Sequence, residues 1–204
     1  MYNESGILNE VLESIKNRRS IRSYLPEQIK DDELEIILES AVYAPTAHND
    51  QPWHFTVIQN KKFIDMMDSE SKKILEQDKE LMGRINLESK KLVANKEIKI
   101  GKSLNFNIFY KAPTVIVVSG KKNAMHPLHD CCAATQNMLI AAESIGIGTC
   151  WIGLSTFFFQ NTKNIEKLNL PDGYEPYFTV TLGYKASHNN KAPKRNKNVV
   201  NYIK

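Results

Sequence analysis

The stretch "DCCAATQNMLIAAESIGIGTCWIG", residues 130–153, decides the fold class of this chain. Its first part, Asp130 to Ile145, is apolar around most of a helical circumference, which is typical of a helix buried in a core or in a subunit interface. Gly146 and Gly148 end that pattern, and the "TCWIGL" that follows predicts a short strand or an extended turn. The chain is therefore expected to combine a buried helix with extended segments.

Two shorter helices are predicted ahead of any strand. Apolar residues recur at helical spacing from Ile7 to Ile15, and this helix should fade around Arg18. A second helix begins near Asp31 or Asp32, because acidic side chains suit the positive end of a helix. It must stop before Pro45.

Three short segments bounded by turn residues have the composition or the alternation of strands. They are "HFTVIQN" (54–60), "TVIVVSG" (114–120) and "YFTVTLGY" (177–184). Because helices come first and strands then alternate with long helices, the predicted fold class is α+β. No internal repeat, low-complexity linker or domain boundary is visible, so residues 1–204 are predicted to form one domain.

The region from Lys61 to Lys102 is highly charged, with scattered apolar positions such as Leu81. Two interpretations stay open for it: helices on the solvated surface, or a helical lid that covers a site. Phe106, Phe109 and Tyr110 follow this region. These aromatic residues either stack on a ligand or fill the core at helical spacing.

The composition of the chain is that of an ordinary globular domain. Among 204 residues, 27 basic against 23 acidic side chains give a net charge of +4, too weak an excess to indicate nucleic acid. The N-terminus lacks the apolar core of a signal peptide, and Gln136, Asn137 and Glu143 interrupt the longest apolar region. We therefore expect no membrane span and a cytoplasmic location, with reduced cysteines.

Several segments resemble motifs of other protein classes but lack their essential residues. "GIGTCWIG" (146–153) follows a helix, whereas a dinucleotide-binding glycine turn follows a strand, and Leu154 stands where a P-loop needs lysine. "HPLHDCC" (126–132) offers zinc ligands, but no second Cys/His cluster completes a site, and Pro127 favours a helix N-terminus. No nucleophile elbow occurs. Neither a metal site nor a catalytic side chain is predicted.

The stretch "RRSIRSY", residues 18–24, follows the first helix and brings arginines close together. If it is extended, residues two apart point the same way, so Arg18, Ser20 and Arg22 share one face, while Arg19 and Ile21 face the other. Two guanidinium groups and a hydroxyl on one face form a socket for a phosphate or an electron-rich ring edge. From these residues alone, cations placed to favour a helix C-terminus are an equally sound interpretation.

The loop "APTAHNDQPW", residues 44–53, favours the socket. Pro45 and Pro52 stiffen the backbone on either side of small and amide residues. Such a loop can approach a flat ligand and present Asn49 and Gln51 as fixed donors and acceptors. As structure alone, it is also compatible with an ordinary turn between a helix and a strand.

The pairing of R-R-S-x-R with A-P-T-A-x-N-x-Q-P-W resembles the nitroreductase family of FMN-dependent oxidoreductases. "GIGTCWIG" after the long apolar helix and the basic "APKRNKNVV" after "TLGY" match the same family, in the same order. The resemblance implies an α/β sandwich with a central, mostly antiparallel sheet flanked by helices. It also implies an intertwined homodimer that binds FMN in two sites at the subunit interface, with residues 185–204 as an extended arm around the partner.

The resemblance also implies the site residues. The phosphate, ribityl chain and pyrimidine side of the flavin would be held by Arg18, Arg19, Ser20 and Arg22, with Lys194 and Arg195 completing the phosphate site. The loop Pro45, Thr46, Ala47, Asn49 and Gln51 would approach the flavin from the other subunit, with Asn49 bonded to its polar edge. Beside Trp151, the backbone near Ile152 and Gly153 would donate to flavin N5 and O4. Two departures are Thr46 in place of a common serine and the lack of a proline after the Gly183-Tyr184 pair.

The implied activity is electron transfer through FMN from NADH or NADPH to a small acceptor such as a nitroaromatic or a quinone. Donor and acceptor use the same flavin face in turn, which gives ping-pong kinetics. Arg22 would stabilise negative charge near N1 and O2 of the reduced flavin. Two alternatives stay open: a specialised flavin enzyme of this fold that dehalogenates a substrate or consumes its flavin, and a non-enzymatic module that binds a nucleotide through its basic segments.

Overall fold

A four-stranded antiparallel sheet lies at the centre of the molecule, in the order β1-β2-β4-β3. The structure, a computed structural model, describes residues 9–78, 106–187 and 191–204. Its strands are β1 (Trp53–Ile58), β2 (Thr114–Lys121), β3 (Ile147–Trp151) and β4 (Tyr174–Tyr184). All the predicted strands are present, and the α+β prediction is confirmed.

The helices predicted before Pro45 and over residues 130–145 are present in the described part. The helices of that part are α1 (Glu10–Asn17), α2 (Asp31–Val42), α3 (Lys61–Leu75), α4 (Pro127–Ser144) and α5 (Thr162–Glu166), with a 3-10 helix at Leu154–Gln160. Their ends follow local chemistry. The Asn9 side chain accepts from Leu12 N–H at the start of α1, and Pro127 occupies the first turn of α4.

One face of the sheet is covered by α2 and α4. The side chains of α4 that are buried in this layer are Cys131, Ala134, Met138, Leu139 and Ala142. They pack against the inward side chains of the two central strands, Ile116, Val118, Val180 and Leu182. The buried helix predicted from the sequence is therefore one wall of the main core.

The other face of the sheet is covered by α3 and the 3-10 helix Leu154–Gln160. Ile64, Met67 and Leu75 of α3 are all buried. The start of the charged region is thus a helix whose apolar stripe covers the second face of the sheet. The remainder of the predicted lid, from residue 79, lies outside the described residues.

The chain after α1 is fastened to the free edge of β3. Ser20 forms a parallel bridge with Thr149, and the Ile21 N–H donates to Thr149 O at 2.8 Å. Gly148 allows this approach, since a Cβ on it would lie 3.0 Å from Ile21 Cγ2. The segment that carries the arginines is therefore held against a rigid strand.

The last part of the chain extends beyond the sheet. Residues 191–204 have no regular secondary structure and are exposed throughout. Among the described residues, no helix has the length and apolar character to cross a membrane. The three cysteines are free thiols, as expected, with Cys131 and Cys150 buried and Cys132 exposed.

Candidate functional site

The arginine segment presents its side chains alternately, as the extended backbone requires. Ile21 is buried at 4% exposure, whereas Arg22 is exposed. On the face opposite to Ile21, the Ser20 hydroxyl bonds with the Cys150 thiol, and the charges of Arg18 and Arg22 act on the same thiol. Arg18, Ser20 and Arg22 thus converge beside Cys150 of β3, and together they form what we call the socket.

Arg19 has a different role in the structure. Its Nη1 donates to Lys16 O at 2.6 Å and to Arg18 O at 2.7 Å, so its guanidinium caps the last carbonyls of α1. Its Nε is buried without a partner among the described residues. The helix-capping interpretation therefore applies to Arg19, and the socket interpretation to its neighbours.

The floor of the socket is buried. Burial raises the pKa of the Cys150 thiol, although Arg22, the Ser20 hydroxyl and Arg18 act in the opposite direction. Burial also raises the pKa of Tyr24, whose hydroxyl donates to Ile21 O at 2.7 Å. Both groups stay protonated near neutral pH, so the positive charge of the socket is left for a ligand.

A backbone donor lies where β3 ends, next to the socket. The Ile152 N–H continues the sheet and donates to Thr179 O at 2.8 Å, so it is not available to a ligand. The Gly153 N–H makes no hydrogen bond among the described residues, and Gly153 is exposed. Trp151 packs edge-to-face on Phe178, with ring centroids 4.7 Å apart. Of the pair Ile152 and Gly153, Gly153 is the residue with a free donor.

The loop from Ala44 to Gln51 is held in an unusual conformation. His48, Asn49 and Gln51 have positive φ angles of 51°, 58° and 43°. Left-handed backbone is costly for residues other than glycine, and it persists only where the surroundings enforce it. The proline-flanked segment is therefore a pre-formed loop rather than an ordinary turn.

Hydrogen bonds of the loop explain how that conformation is kept. The Gln51 N–H donates to Thr46 Oγ1 at 3.3 Å, and Gln51 Nε2 donates to Asn49 Oδ1 at 2.9 Å. The Ala47 N–H donates to Asp130 Oδ1 at 3.3 Å, which ties the loop to the first turn of α4. The loop thus has a rigid base in the main core, with Asn49 and Gln51 exposed.

Within one chain, the predicted site residues fall into separate groups. The socket and Gly153 lie together at β3, whereas the loop Pro45–Gln51 lies at the start of α4. No hydrogen bond or ion pair joins the loop to the socket among the residues that the structure describes. Lys194 and Arg195 lie in the exposed tail. Metal binding at "HPLHDCC" has no support, since the described residues contain no metal-binding group of three or more His, Cys, Asp or Glu.

The chain is similar to a known protein family over most of its length. The sequence model of the Nitroreductase family matches residues 15–184. The chain belongs to the nitroreductase family. This match includes the socket, the loop and the end of β3, and it confirms the resemblance stated from the motifs.

Two solved nitroreductases with bound FMN have the same fold as this family member. The structure from Bacteroides fragilis has a TM-score of 0.79 and 30% identity, covering 97% of this chain and 100% of the other. The structure from Desulfitobacterium hafniense has a TM-score of 0.79 and 26% identity, with the same coverage. A relative from Bacillus subtilis, an FMN reductase (NADPH), is 28% identical over 206 residues, which cover 95% of this chain and 73% of the relative.

Sequence reasoning did not find every group at the nitroreductase socket. No motif marks Cys150, although it lies at the floor of the socket, beside Arg18 and Arg22. The Tyr110 ring faces Arg22, with the guanidinium carbon 5.8 Å from the ring centroid. No local spacing connects these positions, because long-range strand pairing brings them together. Phe109, by contrast, is fully buried in the core layer beneath α3, so the stacking interpretation is wrong for it.

Proposed function

We propose that this nitroreductase-family protein binds FMN and passes electrons from NADH or NADPH to a nitroaromatic, a quinone or a similar small acceptor. The observation that carries the proposal is the convergence of Arg18, Ser20 and Arg22 on one face, next to the free N–H of Gly153. The FMN bound in the solved relatives from Bacteroides fragilis and Desulfitobacterium hafniense supports the choice of cofactor.

The donor set of the socket fits the polar parts of FMN. Two guanidinium groups and a hydroxyl suit a phosphate and the oxygen-rich edge of the ring, since charge-assisted and bidentate hydrogen bonds are strong. In this assignment Arg18 and Ser20 hold the phosphate and ribityl chain. Arg22 lies at the pyrimidine side, where its positive charge favours a negatively charged ring edge. Gly153 donates its N–H to the ring at N5 or O4.

The second half of the site comes from a partner subunit in this proposal. The strained loop that presents Asn49 is separate from the socket within one chain, and the tail with Lys194 and Arg195 extends away from its own core. A homodimer would bring the loop and the tail of one chain to the socket of the other. Thr46 keeps the hydroxyl of the serine common at this position, and this hydroxyl fixes the loop by accepting from Gln51.

FMN would supply the hydride acceptor, a ring that takes hydride from NAD(P)H and returns electrons to the second substrate in a ping-pong sequence. The chain's contribution is orientation and charge. No side chain at the socket is placed as a general acid or base. Cys150 and Tyr24 are buried, and their raised pKa values keep both groups protonated. We therefore assign no catalytic side chain.

Spectroscopy of the purified protein tests the proposal. We expect the absorption of bound oxidised flavin, its bleaching under anaerobic conditions by NADH or NADPH, and its return on addition of a nitroaromatic or a quinone. Initial rates at several fixed acceptor concentrations should give parallel double-reciprocal lines. A colourless protein that takes up no added FMN would overturn the cofactor assignment. A yellow protein that neither nicotinamide bleaches would overturn the reductase assignment alone.

A further inference from the structure

Tyr110 lies against the one socket arginine that is exposed and that has no hydrogen bond within the described chain. Its ring is half-buried, and the Arg22 guanidinium carbon lies 5.8 Å from the ring centroid. This separation is within the range of a cation–π contact, in which the negative face of an aromatic ring attracts a cation. Arg22 has a long, flexible side chain, and among the described residues no hydrogen bond or ion pair holds it in place.

The backbone around Tyr110 is built to hold that ring still. Tyr110 and Lys111 have positive φ angles of 55° and 54°, an uncommon conformation for side chains of this size. Asn107 Oδ1 accepts from the N–H groups of Phe109 at 3.1 Å and Lys111 at 3.0 Å. The Tyr110 N–H itself donates to Asn107 O at 3.0 Å. A costly conformation that several bonds enforce indicates a functional constraint.

The turn that carries Tyr110 is also anchored to the core. Ile108 and Phe109, directly before it, are buried beneath α3. The Ile108 N–H donates to Asp68 Oδ1 at 2.6 Å, and Asp68 Oδ2 accepts from Lys72 at 2.7 Å. A ring on so firmly held a turn can fix the direction of a flexible arginine with little loss of entropy on ligand binding.

We propose that Tyr110 is a positioning residue, which holds the Arg22 guanidinium toward the flavin pyrimidine through its ring face. The proposal rests on the proposed FMN site and adds the residue that organises its exposed arginine. Tyr110 does not touch the flavin in this proposal. Its hydroxyl makes no hydrogen bond among the described residues, so the ring and not the hydroxyl is the active part.

The test is a double-mutant cycle on FMN affinity, measured by quenching of flavin fluorescence. Tyr110→Leu should weaken FMN binding about twofold to fivefold, the range expected from loss of a partly exposed cation–π contact. Tyr110→Phe should keep wild-type affinity. In the Arg22→Ala background, Tyr110→Leu should have no further effect, because the partner is gone. The reduction potential of bound FMN should become more negative in Tyr110→Leu and stay unchanged in Tyr110→Phe.

Tyr174→Leu is the matched control, since Tyr174 is a half-buried tyrosine in edge-to-face contact with His54, 5.7 Å away. It should leave FMN affinity unchanged. Tyr110→Met replaces Tyr110→Leu if the latter fails to fold, because methionine adapts to irregular spaces. Two results would overturn the role of Tyr110, provided that the wild-type protein binds FMN. One is that Tyr110→Leu leaves FMN affinity unchanged. The other is that Tyr110→Leu weakens FMN binding equally in the wild-type and Arg22→Ala backgrounds. A wild-type protein that binds no FMN would overturn the proposed function, and the role of Tyr110 with it.

Discussion

The guanidinium groups of Arg18 and Arg22 extend from one side of the chain, and that of Arg19 folds back onto α1. The difference follows from position. Arg19 lies one residue beyond the C-cap of α1, where its side chain can reach back to carbonyl groups that lack helical partners and attract a cation. Its neighbours on the opposite face, Arg18 and Arg22, lie beside the thiol of Cys150, a weak partner for a charge, and Arg22 also faces the Tyr110 ring. The free charges of the segment are thus those of Arg18 and Arg22.

Removing those two charges should abolish flavin binding without unfolding the protein. We expect Arg18→Ala with Arg22→Ala to weaken FMN binding about 100-fold or more, since a hydrogen bond to a charged group contributes about 1.5–3 kcal/mol. Arg19→Ala should instead lower the thermal midpoint and change FMN affinity much less. Lys16→Ala with Lys30→Ala is a charge-matched control. Equal FMN affinities of the double variant and the wild type would contradict the socket.

Gly153 allows a test of a backbone donor, which is rarely accessible to mutation. Its φ of −73° is compatible with proline, and nothing lies within 4 Å of a Cβ built on it. Gly153→Pro removes the N–H and should weaken FMN binding about threefold to tenfold, the loss of one hydrogen bond. Gly153→Ala keeps the N–H and should bind FMN as the wild type does. Equal FMN affinities of the two variants would show that this N–H does not donate to the ligand.

The alternation of Arg18, Ser20 and Arg22 could be predicted from the sequence, because side-chain direction in an extended segment has a period of two. The choice between Ile152 and Gly153 as donor could not. It depends on where the β3–β4 hydrogen bonds stop, and that register is set by pairing with residues far along the chain. The contact of Tyr110 with Arg22 was likewise beyond local reasoning, since the two residues lie far apart in the sequence.

At the scale of elements, α3 holds the turn that carries Tyr110, next to the socket. Asp68 is buried and accepts both the Ile108 N–H and the Lys72 ammonium. The lysine also lies 5.7 Å from the Phe106 ring. This single carboxylate therefore fastens the turn that carries Tyr110 to a helix of the core.

Asp68→Ala should destabilise the protein by about 3–5 kcal/mol, because it leaves a partly buried ammonium and a buried N–H without their acceptor. The midpoint of urea unfolding, followed by circular dichroism, measures the loss. Asp65→Ala on the same helix is the control. Asp65 and its partner Lys61 are 55% and 90% exposed, and such pairs contribute at most about 1 kcal/mol. Equal losses in the two variants would show that Asp68 does not anchor the turn.

The elements themselves were largely predictable. Periodicity and the breakers Pro45, Gly146 and Pro127 mark the helices and strands, and these signals are local. The burial of α3 was not predictable, since its apolar residues lie among many lysines and acids. Whether such a stripe faces solvent or core depends on whether another element covers the second face of the sheet.

At the scale of the molecule, a single chain leaves apolar side chains exposed near its N-terminus and in its C-terminal tail. Val11 and Ile15 of α1 are exposed, and so are Val199, Val200 and Ile203 of the tail, the last at 96%. Clusters of large exposed apolar side chains are typical of interaction surfaces. They fit the proposed homodimer, in which each tail crosses to the other subunit.

Sedimentation velocity of the full chain and of a variant ending at Ser187 tests this arrangement. The full chain should sediment as a homodimer with bound FMN, and the shortened chain should dissociate and lose the flavin. Lys194→Ala with Arg195→Ala should stay dimeric but bind FMN more weakly, because it removes charge and keeps the apolar residues. A full chain that is monomeric and still binds FMN would contradict a site shared between subunits.

The contact between Tyr24 and Thr181 bears on the order in which the protein folds. Their hydroxyl groups lie 2.8 Å apart, although 157 positions separate them in the chain. Contacts of such long sequence separation form late, because the intervening chain must first be ordered. The socket is thus completed only when the sheet has formed, and no earlier species offers FMN a place to bind. FMN should therefore leave the refolding rate unchanged and slow unfolding, as stopped-flow fluorescence with and without FMN can measure.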